Sequence, residues 1–158
     1  MSYSLRSALP GDAPRLTELA RRAKAHWGYP ADWLAAWEPE LTIEPGYLTE
    51  HRVLVAESNG VLVGMCALED RGSWWALEHA WVDPEQAGKG IGRGLVEAVL
   101  ALAQSLRPGR VLVEADPNAA GFYQRLGATQ VGVVPASMPG APDRVLPVFQ
   151  FTRVAAGK

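Results

Sequence analysis

Cysteine is almost missing from this chain: Cys66 stands alone, which excludes an internal disulfide and any metal site built on several thiolates. Its neighbours are apolar and strand-like, so it reads as a buried, inert thiol in a reducing compartment. An excess of charge of either sign is also missing. Fifteen Lys and Arg against 17 Asp and Glu leave a net charge of −2, and a pI near 5.9 gives no electrostatic grip on a polyanion. Nucleic acid is therefore disfavoured as a partner, and an anionic ligand must be held by local geometry. No apolar run approaches the roughly 18 residues that span a bilayer, and no basic segment followed by an apolar one opens the chain. The expectation is a cytoplasmic protein with no membrane partner. With 158 residues, 48% of them hydrophobic, and no repeat or low-complexity segment, one domain over 1–158 with a sizeable core is expected.

What is present alternates strands with helices. Tyr3 to Leu9 alternates apolar and polar residues until Pro10 and Gly11 break it, and Asp12 then stands as a candidate N-cap. Leu16, Leu19, Ala20 and Ala23 form a helical stripe that Gly28 and Pro30 end. Around that end His26, Trp27, Tyr29, Trp33 and Trp37 crowd onto a short helix-loop-helix, either as packing of a small helical layer or as a pocket wall. After one helical turn through Glu50, Arg52 to Glu57 and Val61 to Leu68 read as a hairpin joined at Asn59-Gly60. Ser73 to Val82 is the next strand. A helix from Ile91 runs to Pro108 on Leu95, Val99, Leu102 and Leu106, and Arg110 to Ala115 is the strand beyond it. The crossover rule makes the strands on either side of that helix parallel. A short helix from Ala119 to Leu126 and strands at 131–134 and 145–152 complete seven strands and about four helices.

The stretch from Gln86 to Leu95, QAGKGIGRGL, lies between a strand and the longest helix. Gly88, Gly90 and Gly92 leave backbone N–H groups uncovered at a helix start, which suits a phosphate or pyrophosphate. A nucleotide-hydrolysing loop needs Ser or Thr after the lysine, whereas Lys89 is followed by Gly90. The dinucleotide fingerprint spacing is absent as well, and the antiparallel strands before the loop are the wrong context for it.

With the meander ahead of it and FYQRLG at 122–127 behind it, the loop resembles that of the GNAT superfamily of N-acetyltransferases, and the resemblance covers nearly the whole chain. The family's loop reads Arg or Gln, two residues, Gly, one residue, then Gly or Ala. Gly90 and Gly92 meet the last two conditions, while Ala87 departs from the first. The resemblance implies an α/β (α+β) fold with a mixed, mostly antiparallel seven-stranded sheet whose strands 4 and 5 are parallel and splayed around the cofactor. It implies acetyl-CoA as co-substrate and no metal. The backbone of Gly88, Lys89, Gly90, Ile91, Gly92 and Arg93 would wrap the pyrophosphate, Ala80, Trp81 and Val82 would pair with the pantetheine amides, and Asn118 would help hold that arm.

Acetyl transfer to an amine requires a neutral amine, a stabilised oxyanion and a proton for the leaving thiolate. Tyr123 matches the family position whose phenol supplies that proton, and the N–H of Val82 would face the oxyanion. Glu78 lies where some members place the base, with the parity of Ala80 and Val82 on its strand, and nearby tryptophans would raise its pKa. His79 would point to the opposite face unless a bulge shifts the register. For the acceptor the resemblance points to His26, Trp27 and Tyr29, to His79, and to the loop before the last strand, where Arg144 would pair with a carboxylate. The expected activity is transfer of acetyl to a primary amine of a small molecule by direct attack in a ternary complex. Alternatives are a protein or peptide acceptor, or a CoA-binding sensor without chemistry. Tryptophans left exposed would mark a homodimer face.

Overall fold

In the computed structural model, which describes residues 2–151, Asn59 and Gly60 take positive φ angles of 52° and 77°. That pair of left-handed residues matches the twist of the flanking strands. It folds β2 (Arg52–Ser58) onto β3 (Val61–Asp70), and β4 (Trp74–Val82) follows antiparallel to β3. Ahead of them come β1 (Ser4–Ser7), α1 (Ala13–Ala25), α2 (Ala31–Ala36), α3 (Glu38–Leu41) and α4 (Pro45–Glu50). Behind them come α5 (Ile91–Leu106), β5 (Arg110–Glu114), α6 (Ala120–Arg125), β6 (Thr129–Pro135) and β7 (Val145–Gln150). The strands form one mixed sheet in the order β1-β2-β3-β4-β5-β7-β6, with β4 and β5 parallel and all other neighbours antiparallel.

Two expectations need correction. The described residues hold six α-helices rather than about four: α2, α3 and α4 are four to six residues long, too short to show a period. The last strand ends at Gln150, and Thr152 lies outside the described residues. Asp12 precedes α1 as expected, but its side chain makes no hydrogen bond to the start of α1 and caps the preceding 3-10 turn instead. Its carboxylate turns back to accept the Leu9 N–H at 2.8 Å and to bind Arg6 at 2.9 Å and Arg15 at 2.8 Å.

Each face of the sheet has its own core. On one, Leu95, Val96 and Val99 of α5 pack on Cys66, Leu68, Leu77 and Phe149; on the other, Leu16 and Leu19 of α1 pack on Val53, Val55, Met65 and Ala67. Each such leucine contributes roughly 1.5–3 kcal/mol by leaving water. Gly64 lets α5 lie close to β3, since a Cβ there would stand 2.8 Å from Leu95 Cδ1.

Two irregularities in β4 position everything that follows. Its parallel pairing with β5 covers Trp74 to Ala76 against Arg110 to Leu112 and then stops, while β5 continues beside β7. The sheet therefore splits beyond Ala76. A bulge also sits between the Glu78–Ala67 and Trp81–Met65 pairs, so that His79 and Ala80 oppose Cys66 alone. His79 takes φ 50° there, a strained conformation for a residue with a Cβ.

Candidate active site

Beyond the bulge β4 ends at Val82, and the carboxylate of the next residue, Asp83, accepts the Glu85 N–H at 3.0 Å and binds Arg22 at 3.0 Å. This starts the 3-10 turn Pro84–Gln86 and aims the chain into the glycine loop. Gly88 and Gly90 take φ of 81° and 79°, and nothing lies within 4 Å of where a Cβ would stand on either. Their backbone is open on the outside. Gly90 is the N-cap of α5 and the first helical bond is Gly94 N–H to Gly90 C=O at 3.0 Å, so the N–H groups of Ile91, Gly92 and Arg93 have no partner within the helix. Three donors and the helix dipole thus converge on one spot. Gly92 faces the Phe122 ring, 3.2 Å from an added Cβ, which holds α6 against the first turn of α5.

The loop opens into a cleft of about 1160 Å³ that passes between the parted strands. Glu78 and Tyr123 both line it, as do Ala80, Trp81, Val82, Gly88, Gly90, Ile91, Gly92, Arg93, Asn118, His26, Trp27, His79 and Arg144. Lys89 and Tyr29 stand outside its wall. Lys89 donates to Gln86 Oε1 at 3.1 Å instead.

The bulge changes which residues share a face. Because Glu78 and Trp81 oppose Ala67 and Met65, Glu78 lies on the α1 side with Trp81 and does not keep the parity of Val82. Val82 and Tyr123 belong with the α5 side. Only the split between β4 and β5 lets a carboxylate on one face and a phenol on the other share a cavity. His79 also turns toward the Glu78 side, its ring 5.3 Å from that of Tyr47.

Glu78 has the electrostatics of a base for neutral solution. Enclosure in the cleft and the neighbouring Glu69 push its pKa from 4.5 up to about 7; Glu114 and Glu40 act in the same sense, and Arg71 opposes them. The side chain keeps 40% of its surface, but the cleft walls displace much of the bulk water around it. Glu69 is held by Tyr47 Oη–H at 2.6 Å and Arg71 at 2.8 Å, while Arg71 reaches Glu78 at 3.5 Å. His79 is a different kind of group. Trp81 Nε1–H donates to its Nδ1 at 3.2 Å, which leaves the proton of the neutral ring on Nε2, and burial lowers its pKa. Held in that tautomer it donates rather than accepts.

Tyr123 is 5% exposed, packed against Phe122, Phe149 and Phe151. Burial raises its pKa well above 10, helped by Cys66, Glu78 and Asp116. The phenol therefore keeps its proton, and its hydroxyl donates to no described residue.

At the other end of the cleft, residues distant in sequence meet around Asp116, which spacing along the chain could not reveal. Its half-buried carboxylate receives Lys24 Nζ at 2.7 Å, Tyr29 Oη–H at 2.9 Å and the Asn118 N–H at 2.8 Å. Burial alone would raise its pKa, but Lys24 and these donors bring it below the ordinary value. The Asn118 amide donates to Tyr29 Oη at 3.1 Å. Tyr29 so supports Asn118 from behind rather than facing the cleft. Tyr29, Trp33 and Trp37 form a box that the chain fills with its own cations: Lys24 Nζ is 4.2 Å from the Trp37 centroid, and the Arg144 guanidinium is 5.3 to 5.7 Å from all three rings. Trp33 Nε1–H also donates to Pro139 C=O at 2.9 Å, which ties the β6–β7 loop to α2. Among the described residues no group of three or more His, Cys, Asp or Glu could hold a metal ion.

The model of the acetyltransferase (GNAT) family matches residues 15–128. No curated protein matches the chain in sequence. Among solved structures, the PaiA N-acetyltransferase of Thermoplasma acidophilum in complex with coenzyme A superposes with a TM-score of 0.77 at 18% identity, over 96% of this chain and 99% of that one. For yncA of Salmonella typhimurium, solved with its cofactor acetyl-CoA, the TM-score is 0.70 at 22% identity, over 100% and 98%. For the ribosomal-protein-S18-alanine N-acetyltransferase of Escherichia coli it is 0.72 at 16%, over 99% and 97%. At such identities the likeness carries the fold alone. The family model spans most of the chain, including the split in the sheet and the glycine loop beside it, and by that match the chain belongs to the GNAT acetyltransferase family.

Proposed function

We propose that the chain transfers an acetyl group from acetyl-CoA to a primary amine of a small molecule, by direct attack while both are bound. The observation that carries this reading is that Glu78 and Tyr123, from opposite faces of the sheet, line one cleft that the glycine loop also enters. The residues present fit the donor. Gly88 and Gly90 hold left-handed φ angles that disfavour a Cβ and leave the loop backbone open, and β4 beyond Ala76 offers a backbone edge without a parallel neighbour, suited to the amides of a pantetheine arm. Two similar structures contain coenzyme A or acetyl-CoA, which supports the same donor.

Bound there, acetyl-CoA would supply an activated acyl group as a thioester. Glu78, titrating near 7, takes a proton from the acceptor's ammonium and leaves a neutral amine. Holding both reactants together supplies much of the rest. The Tyr123 hydroxyl donates a hydrogen bond to the departing sulfur and passes a proton to it while receiving the one that the acylated nitrogen gives up, so that neither a thiolate nor a phenolate is left charged among the apolar rings. His79, fixed as a donor by Trp81, orients a polar atom of the acceptor. A small acceptor is favoured because Trp33 and Arg144 strap the β6–β7 loop beside the acceptor end, where a folded protein would need room. A panel of small amines and peptides with free N-termini, followed by release of free thiol from acetyl-CoA, tests the reading. Turnover confined to peptides would overturn the small-molecule acceptor.

A further inference from the structure

Glu69 and Glu78 both line the cleft, and the proposed reaction uses only Glu78. Across β3 and β4, Ala67 pairs with Glu78 and Glu69 with Ala76, so the two carboxylates are diagonal neighbours on one face of the sheet. Like charges so placed repel. A fold that keeps such a local conflict marks a site with a task.

The hydrogen-bond donors are divided unequally between them. Glu69 receives the Tyr47 hydroxyl at 2.6 Å on one oxygen and Arg71 Nη2 at 2.8 Å on the other. Among the described residues Glu78 is reached only by the same Nη2, at 3.5 Å. Donors favour the charged form of the carboxylate they meet, so the division leaves Glu78 free to take up a proton. Arg71 then loses no charge partner, because Glu69 still holds it. The arrangement is anchored from α4, where the Tyr47 ring lies edge-on to His79 at 5.3 Å and 4.5 Å from His51. Tyr47 thus touches both Glu69 and the strained residue that follows the base.

The other ionisable groups of the cleft do not change this division. Glu40 of α3 and Glu114 of β5 act on Glu78 in the same sense as Glu69. Lys24 of α1 is paired with Asp116, Arg144 sits in the aromatic box, and His26 follows α1 at its C-cap. His79 has its Nδ1 taken by Trp81.

We propose that Glu69 is a positioning residue for the transfer: held by Tyr47 and sharing Arg71, it fixes the place of Glu78 and leaves it the carboxylate that takes the acceptor's proton. The inference rests on Glu78 as the base. Glu69 acts through Glu78 and Arg71.

The test follows the Glu78 carboxyl by NMR in the full chain labelled with carbon-13 at glutamate Cδ, its signal assigned with Glu78→Gln, beside the pH profile of kcat/KM. In the unaltered chain the signal is expected to titrate near 7. Glu69→Gln is expected to lower that midpoint, so that the ratio of kcat/KM at pH 6 to that at pH 8.5 rises about threefold or more. Arg71→Gln moves both the other way. Tyr47→Phe keeps the ring packing, moves both as Glu69→Gln does but less, and adds nothing on a Glu69→Gln background. A Glu78 midpoint near 7 that neither Glu69→Gln nor Tyr47→Phe moves overturns the proposal and leaves the base intact. A Glu78 signal that titrates with ordinary carboxylates, or a kcat/KM limb that stays while the signal moves, overturns the base and the proposal with it.

Discussion

In the proposed reaction Glu78 and Tyr123 divide the acid–base work because their surroundings treat charge differently. A carboxyl group raised to about 7 gives kcat/KM an acid limb near neutrality, with activity rising as pH increases through 7. Glu78→Gln is expected to lower kcat/KM by about 10²-fold or more and to abolish that limb, read from a pH profile between 5.5 and 9. Its effect on stability has the opposite sense. The folded chain holds the Glu78 proton more tightly than the unfolded one, so stability falls as pH rises from 4.5 through about 7. Glu78→Gln is therefore expected to raise Tm at pH 8 but not at pH 4, by thermal unfolding at both. Tyr123→Phe is expected to lower kcat roughly tenfold or more with the KM for acetyl-CoA nearly unchanged, in steady-state kinetics. The sequence marked Glu78 and Tyr123 only through the family resemblance, as positions where members place a base and an acid. Glu69, Tyr47 and Lys24 act through contacts between distant elements, so no local pattern announced them.

Among the elements β4 matters most, since it breaks pairing with β5 after Ala76 and bulges at His79. Its strand character was legible in the run of apolar and aromatic residues; the bulge was not, because no glycine or proline marks it. That one extra residue reverses the parity of Glu78 relative to Val82 and puts His79 beside it. The packing of α5 on β3 depends on Gly64. Gly64→Ala would bring a Cβ to 2.8 Å from Leu95 Cδ1 and 3.1 Å from Ile91 Cγ2, an overpacking expected to cost about 1–3 kcal/mol in urea unfolding and to disturb the first turn of α5. The start of α1 rests on Asp12, 4% exposed and bound by Arg6. The Arg6 hydrogen bonds, against the opposing cost of burial, bring its pKa from 3.8 down to about 2. This stabilisation, about 2 kcal/mol, is complete above pH 4 and lost as pH falls through 2. Asp12→Asn should remove it, with the loss largest at neutral pH. Asp12 was legible as a helix start from its place before Pro14, but the partners that hold it were not.

Over the whole molecule, the sheet was legible to a large extent. Asn59-Gly60, the proline and glycine breaks and the helix between two apolar strands dictate antiparallel neighbours followed by one parallel crossover. The short helix after Gly28 and the turn through Glu50 were legible as α2 and α4, but α3 and the arrangement of these helices were not, because their side chains are placed by tertiary contacts, with Trp33 and Trp37 folded around Arg144 from the far end of the chain. These two regions have different tasks. The open glycine loop and the split sheet suit the donor, and in the proposed reaction the acceptor lies at the end of the cleft that holds Glu78 and His79. The most direct measurement of transfer between them is acetyl-CoA-dependent release of free thiol at pH 8 with a panel of small primary amines. At least one amine is expected to give saturable turnover that Glu78→Gln reduces by about 10²-fold. Thiol release that no amine stimulates, in a chain that binds acetyl-CoA, would contradict the proposed transfer.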